Sequence, residues 1–176
     1  MFKSSLFTIN YYMEPQCNNW LEKKQQITDI LNAYPEVKQP NTHFASNRQY
    51  NRDGLREAFL NIFNEEITKF QAQIQQEIII EDIWSVLYVK DDFHIPHNHG
   101  STGYAGLVYL DFDKQSSNTY YLQPWNNLTT DHTDISFLNT REGSMVIMPK
   151  FITHYTLPHK STNPKRILSF DMKCRT

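Results

Sequence analysis

His97 and His99, separated by one asparagine in Pro96-His97-Asn98-His99-Gly100, carry the clearest chemical potential in this chain, together with a distant His154. Side chains on an extended strand alternate between faces, so a His-x-His pair turns both rings to one side. Neutral imidazole is the commonest protein ligand for a transition metal. With a third histidine from another strand, the pair can cap one face of an ion and leave its other positions open, an arrangement more often reactive than structural. The setting of His154 supports this reading, because Gly143-x5-Pro149-x4-His154 describes a strand stopped by a breaker with the histidine opening the next strand. His43, His94, His132 and His159 lack such a setting and read as ordinary histidines, with His94 in reserve because it lies just upstream of His97.

These residues need a scaffold, and the sequence pattern changes character near residue 78. Upstream, residues 7–12 read as a strand. Asn18 or Asn19 is placed to cap a helix running to about Tyr34, with Trp20, Ile27, Ile30 and Leu31 on one face and Pro35 ending it. Residues 36–53 are polar and read as a loop. A longer helix follows an Asp53 cap, with Leu55, Phe59, Ile62, Phe63, Ile67, Phe70 and Ile74 recurring at steps of three and four. That stripe reads as packing against a sheet. Downstream, β-branched and aromatic residues predict strands over 78–80, 83–89, 94–99, 104–112, 119–122, 135–138, 144–148, 154–157 and 166–172. The expectation is an α+β chain, mainly β: a sandwich or jelly-roll barrel with N-terminal helices over one outer face. Only five glycines and no low-complexity linker interrupt it, so 1–176 reads as one domain, with 1–77 as helical support and 78–176 as the strand core.

Composition narrows the partners. The formal net charge is −2 and no Lys/Arg cluster stands out, so neither nucleic acid nor an anionic membrane is the expected partner. No apolar run approaches the ~20 residues of a membrane span, and the first residues lack the apolar stretch of a signal peptide. Cys17 and Cys174 form no CxxC motif and read as thiols, which points to the cytoplasm.

In the order of its motifs the chain resembles the Fe(II)/2-oxoglutarate-dependent oxygenases, most of all a small bacterial and phage branch related to prolyl hydroxylases. The resemblance is carried by Ser46-Asn47-Arg48-Gln49-Tyr50 ahead of the long helix, then Trp84-x3-Tyr88, His97-x-His99, Val108-Tyr109-Leu110, Gly143-x5-Pro149-x4-His154, and a basic residue before Ser169-Phe170-Asp171. It implies a double-stranded β-helix, Fe(II) as cofactor, 2-oxoglutarate as co-substrate, and hydroxylation of a C–H bond in a peptide or small molecule. It also implies that His97 and His154 are metal ligands. His99 stands where the family usually has a carboxylate, and ligation by His99 is the favoured reading. A cation is needed for the distal carboxylate of 2-oxoglutarate. Arg166 suits by its two-pronged hydrogen bonding, whereas ungapped alignment on Ser169-Phe170-Asp171 favours Lys165. Tyr88 and Tyr109 are candidate donors to the same co-substrate or simply wall aromatics, and the same choice holds for Trp125 and Phe151 towards substrate. Two other readings stand beside this one. A cupin-type metal enzyme would use no 2-oxoglutarate, but the acid that usually follows its His-x-His is missing from residues 101–110. A non-catalytic metal-binding module would explain the exchanged carboxylate.

Overall fold

In the computed structural model, which describes residues 11–127 and 129–175, the aromatic stripe of the second predicted helix packs on a sheet. The chain runs β1 (Tyr12–Glu14), α1 (Trp20–Leu31), β2 (Val37–Lys38), β3 (Ala45–Ser46), α2 (Asp53–Ile62), α3 (Asn64–Ile74), β4 (Ile78–Tyr88), β5 (His94–His97), β6 (Tyr104–Asp111), β7 (Thr119–Asn127), β8 (His132–Phe137), β9 (Met145–Pro149), β10 (His154–Thr156) and β11 (Lys165–Cys174). A seven-stranded sheet has the order β1-β9-β6-β11-β4-β3-β2, and a four-stranded sheet the order β5-β10-β7-β8. Among the described residues, every strand pairing is antiparallel.

Strand alternation divides the core into two layers. On one face of the large sheet, Val108, Leu110, Met145, Ile147, Leu168, Phe170 and Met172 meet Leu55, Phe59, Phe63, Ile67 and Phe70 of the helical side. On the other face, Trp84, Val86, Tyr88, Leu107, Tyr109, Val146, Met148 and Ile167 face the small sheet and its Tyr121. Removing this much aromatic and aliphatic surface from water is the main force holding the layers together. Gly106 allows one close approach, since any Cβ there would run into the Phe170 ring.

The structure adjusts several predicted boundaries. The long helix is two, α2 and α3, separated at Phe63 (φ −106°, ψ 21°); Phe63 is itself buried, so the apolar stripe continues through the break. Asp53 is the first residue of α2 rather than its cap, and the Asn51 side chain accepts from the Asp53 N–H at 3.0 Å. The polar stretch 36–53 contains β2 and β3, which at two residues each show no periodicity to read. Of the strand predicted over 7–12, residues 7–10 lie outside the described residues, and β1 begins at Tyr12. Among the described residues, no helix is long and apolar enough to cross a membrane.

Candidate metal centre

Strand register brings the three histidines together. β10 pairs with β5 so that His154 lies directly across from His97, which puts their rings on one face. β5 ends at His97 rather than reaching His99. The backbone N–H of His99 instead donates to the Lys150 carbonyl at 2.9 Å, and this keeps its ring on the same side. Ring centroids are 4.4 Å apart for His97 and His154, 5.2 Å for His99 and His154, and 5.4 Å for His97 and His99. One ligand nitrogen from each of the three falls within 4.8 Å of the others.

The hydrogen bonds behind the rings decide which nitrogen is available. His97 Nδ1 lies 2.9 Å from the Ile95 carbonyl, and His154 Nδ1 lies 3.1 Å from the Ile152 carbonyl. A carbonyl only accepts, so both Nδ1 atoms carry the proton and donate it, leaving the Nε2 lone pairs free. His99 Nδ1 lies 2.6 Å from Asp171 Oδ1, with the same consequence. Burial pushes the pKa of His97 down and that of His154 down to about 3. Both rings therefore stay neutral at physiological pH, the form that ligates a metal. Three imidazoles, each oriented from behind by an acceptor, fit a divalent transition ion.

These histidines border a cavity of about 430 Å³, also lined by Arg48, Trp84, Tyr88, His94, Thr119 and Asp171. Tyr88 lines the cavity with its hydroxyl 3.3 Å from His94 Nδ1; burial raises its pKa, so the phenol keeps its proton. Tyr109 sits one layer further in, donating to Thr119 Oγ1 at 3.0 Å. Lys165 is fully buried, donates to the Ser117 carbonyl at 2.6 Å and lies 5.1 Å from the Tyr88 ring centre. Burial alone lowers its pKa to about 7.

The structure places Arg166 away from these histidines. Lys165 pairs across from Tyr88 and Arg166 from Leu87, so alternation turns Lys165 between the sheets and Arg166 to the helical side. There Arg166 ion-pairs with Glu36 at 3.0 Å and lies 3.6 Å from Asp111, away from the cavity. Arg166→Ala is expected to cost about 1–3 kcal/mol of stability, because Glu36 is left buried and unpaired. It should leave the KM for 2-oxoglutarate unchanged. Thermal melts and succinate-formation kinetics measure the two effects, and a raised KM without loss of stability would contradict this placement.

Three further cavity residues carried weak sequence signals. His94 stacks on His97 at 3.9 Å and lies tilted against Phe44 at 4.2 Å. In a regular strand His94 and His97 would face opposite ways, but the register shifts between the His154 and Thr156 pairings, and this bulge turns both inward. Pro96 was the available hint of irregularity. Asp171 lies an even number of residues from Lys165 on β11, which fixes it to the same face. The guanidinium of Arg48 lies 3.7 Å from the Trp84 ring centre.

With this geometry established, residues 82–171, just over half of the chain, match the family model described as "Putative 2OG-Fe(II) oxygenase". The chain belongs to the 2OG-Fe(II) oxygenase family. This oxygenase shares its fold with a 2OG-Fe(II) oxygenase family oxidoreductase from Burkholderia pseudomallei (TM-score 0.70, 13% identity, covering 93% of this chain and 84% of that one). It is similarly related to HygX from Streptomyces hygroscopicus, solved with nickel and 2-oxoglutarate bound (TM-score 0.70, 12% identity, covering 94% and 83%). A third similar structure is the viral collagen prolyl hydroxylase of Paramecium Bursaria Chlorella virus-1 in its 2-oxoglutarate complex (TM-score 0.62, 13% identity, covering 94% and 96%). No curated protein sequence matches the chain. The enzyme is thus a 2OG-Fe(II) oxygenase, with Fe(II) as cofactor and 2-oxoglutarate as co-substrate.

The Asp171 carboxylate is the group most open to a direct test. In Asp171→Asn the residue no longer enforces the Nδ1–H form of His99, since an amide both donates and accepts. Fe(II) affinity is expected to fall about 10–100-fold. Anaerobic metal titration measures this, and an unchanged affinity would remove Asp171 from the centre.

Proposed function

We propose that this oxygenase hydroxylates a C–H bond of a small molecule or a peptide residue, with His97, His99 and His154 holding Fe(II) and Lys165 gripping the distal carboxylate of 2-oxoglutarate. The observation that carries the reading is the convergence of three imidazoles whose Nδ1 atoms are all committed to acceptors, so that each offers only Nε2. When bound, Fe(II) with 2-oxoglutarate supplies the O2-derived oxidising power, and 2-oxoglutarate leaves as succinate and CO2. The rest is the work of the chain. The carbonyls of Ile95 and Ile152 and the carboxylate of Asp171 fix ring orientation. Asp171 also places one negative charge beside His99, offsetting part of what is lost when a histidine replaces a carboxylate ligand. Lys165, buried against the Tyr88 ring between the sheets, supplies the cation, and Tyr88 a hydroxyl donor on the cavity wall. The aromatic walls limit the water that competes for the open positions.

Lys165 also separates this reading from a cupin-type enzyme, which has no dianionic co-substrate and no use for a cation buried between the sheets behind Tyr88. A non-catalytic module loses its main support, because Asp171 remedies the charge deficit that suggested it. We further infer that the two facing sheets form a jelly roll, that the whole chain acts as a single oxygenase domain, and that it works in the cytoplasm with Cys17 and Cys174 as thiols. The test is formation of succinate from 2-oxoglutarate in air. Turnover that requires added Fe(II) and stops with a chelator supports the proposal. Turnover independent of 2-oxoglutarate would overturn it.

A further inference from the structure

Arg48 stands apart from the co-substrate machinery. It borders the metal cavity, where Arg48 and Asp171 are the only formally charged lining residues among the described ones. Its guanidinium lies 3.7 Å from the Trp84 ring centre, and Trp84 stacks in turn on His99 at 5.6 Å. Cation–π stacking holds the guanidinium against the ring while leaving its in-plane N–H donors free to bond. Among the described residues, none accepts a hydrogen bond from those donors. The carboxylates within its electrostatic reach are Asp82 and Asp171. Both are engaged elsewhere, Asp82 with Arg52 at 2.7 Å and Asp171 with His99 at 2.6 Å.

Position and charge balance together say what Arg48 is for. Trp84 and Tyr88 lie on the same face of β4, four residues and so ~13 Å apart, with Arg48 against the first and Lys165 against the second. A 2-oxoglutarate molecule that sets one carboxylate on Lys165 and its keto-acid end on the metal has no third anionic group to offer Arg48. In that loaded site the two charges of Fe(II) balance the two of 2-oxoglutarate, and Lys165 offsets Asp171. Arg48 remains as an uncompensated, oriented cation on the His99 side of the centre. Resting on the proposed function, we infer that Arg48 is a specificity-determining residue that anchors a carboxylate of the substrate to be oxidised, so that the enzyme takes organic acids bearing a free carboxylate near the reacting carbon.

The probes are the N-acetyl amino acids and their primary amides, pairs that differ in one anionic group. Binding is measured by calorimetry to the anaerobic protein loaded with Fe(II) and 2-oxoglutarate, and again to the metal-free protein. For at least one pair the acid is expected to bind about tenfold tighter than the amide. Arg48→Gln should erase that preference, Arg48→Lys should retain part of it, and neither should change the affinity for 2-oxoglutarate. Equal binding of acids and amides across the panel overturns the inference, as does a preference that survives Arg48→Gln. A tenfold loss of 2-oxoglutarate affinity in Arg48→Gln also overturns it, by making Arg48 a co-substrate residue. If the unsubstituted protein binds neither Fe(II) nor 2-oxoglutarate, the oxygenase reading fails. An Arg48-dependent preference in the metal-free protein would still establish the carboxylate site.

Discussion

His154→Ala is expected to lose Fe(II) retention and 2-oxoglutarate turnover together, by more than about 100-fold, the upper range for disturbing only the groups behind a ligand. His154 is the best-buried ring of the three, 4% exposed, and it is paired across strands with His97 on one side and Tyr121 on the other. Its neighbours cannot move in to replace it, because both strands are held by their own ladders. The two remaining histidines would leave more of the coordination sphere to water, which does not orient an ion. The substitution also opens a small void in the four-stranded sheet, at an expected cost of about 1–3 kcal/mol. Loss of turnover therefore has to be read alongside a melting curve. A folded His154→Ala protein that still retains Fe(II) stoichiometrically would remove His154 from the centre.

The parts of this site that were legible in the sequence are those governed by short-range rules. Alternation predicted His97 and His99 on one side, an outcome secured beyond the end of β5 by the His99 N–H bond to the Lys150 carbonyl, and the Pro149 breaker put His154 at the head of β10. Lys165 versus Arg166 stayed open because alternation says that the two face opposite ways without saying which way is inward. That answer came from the pairing of Lys165 with Tyr88 and from the Glu36 partner of Arg166. His94 stayed only in reserve because a bulge reverses the parity on which the reading depends. The function of Asp171 rests on a contact with His99 across a separation of 72 residues, beyond any local pattern. Arg48 lay inside a recognised motif, but its role depends on the Trp84 face it lies against. The helical stripe was plain from its period, whereas β2 and β3 exist only as additions to a sheet already formed.

Lys165 offers the most distinctive pH signature. Its ordinary pKa of 10.5 falls to about 7 in the fold because burial penalises the charged form. Between those values the unfolded chain holds a proton that the folded chain has released, so stability without co-substrate rises as pH increases from about 7 to about 10.5, by up to ~1.4 kcal/mol per pH unit. Below pH 7 both states are protonated and this gain is absent. The distal carboxylate of 2-oxoglutarate reverses the balance, since an anion beside the ammonium favours its charged form. At pH 8 binding of 2-oxoglutarate should therefore take up close to one proton, and this uptake should fade towards pH 6, where Lys165 is already charged. Calorimetry in buffers of different ionisation enthalpy counts the proton directly. Lys165→Met is expected to abolish the uptake, weaken 2-oxoglutarate binding about 100-fold or more, and leave Fe(II) affinity unchanged. The same substitution should stabilise the co-substrate-free protein near neutral pH, because an apolar side chain of similar length replaces a buried amine whose one acceptor is the Ser117 carbonyl. Weaker co-substrate binding combined with a higher melting temperature is what a cation kept for function produces. A lysine whose role was only structural would show the reverse, with a lower melting temperature and normal 2-oxoglutarate affinity.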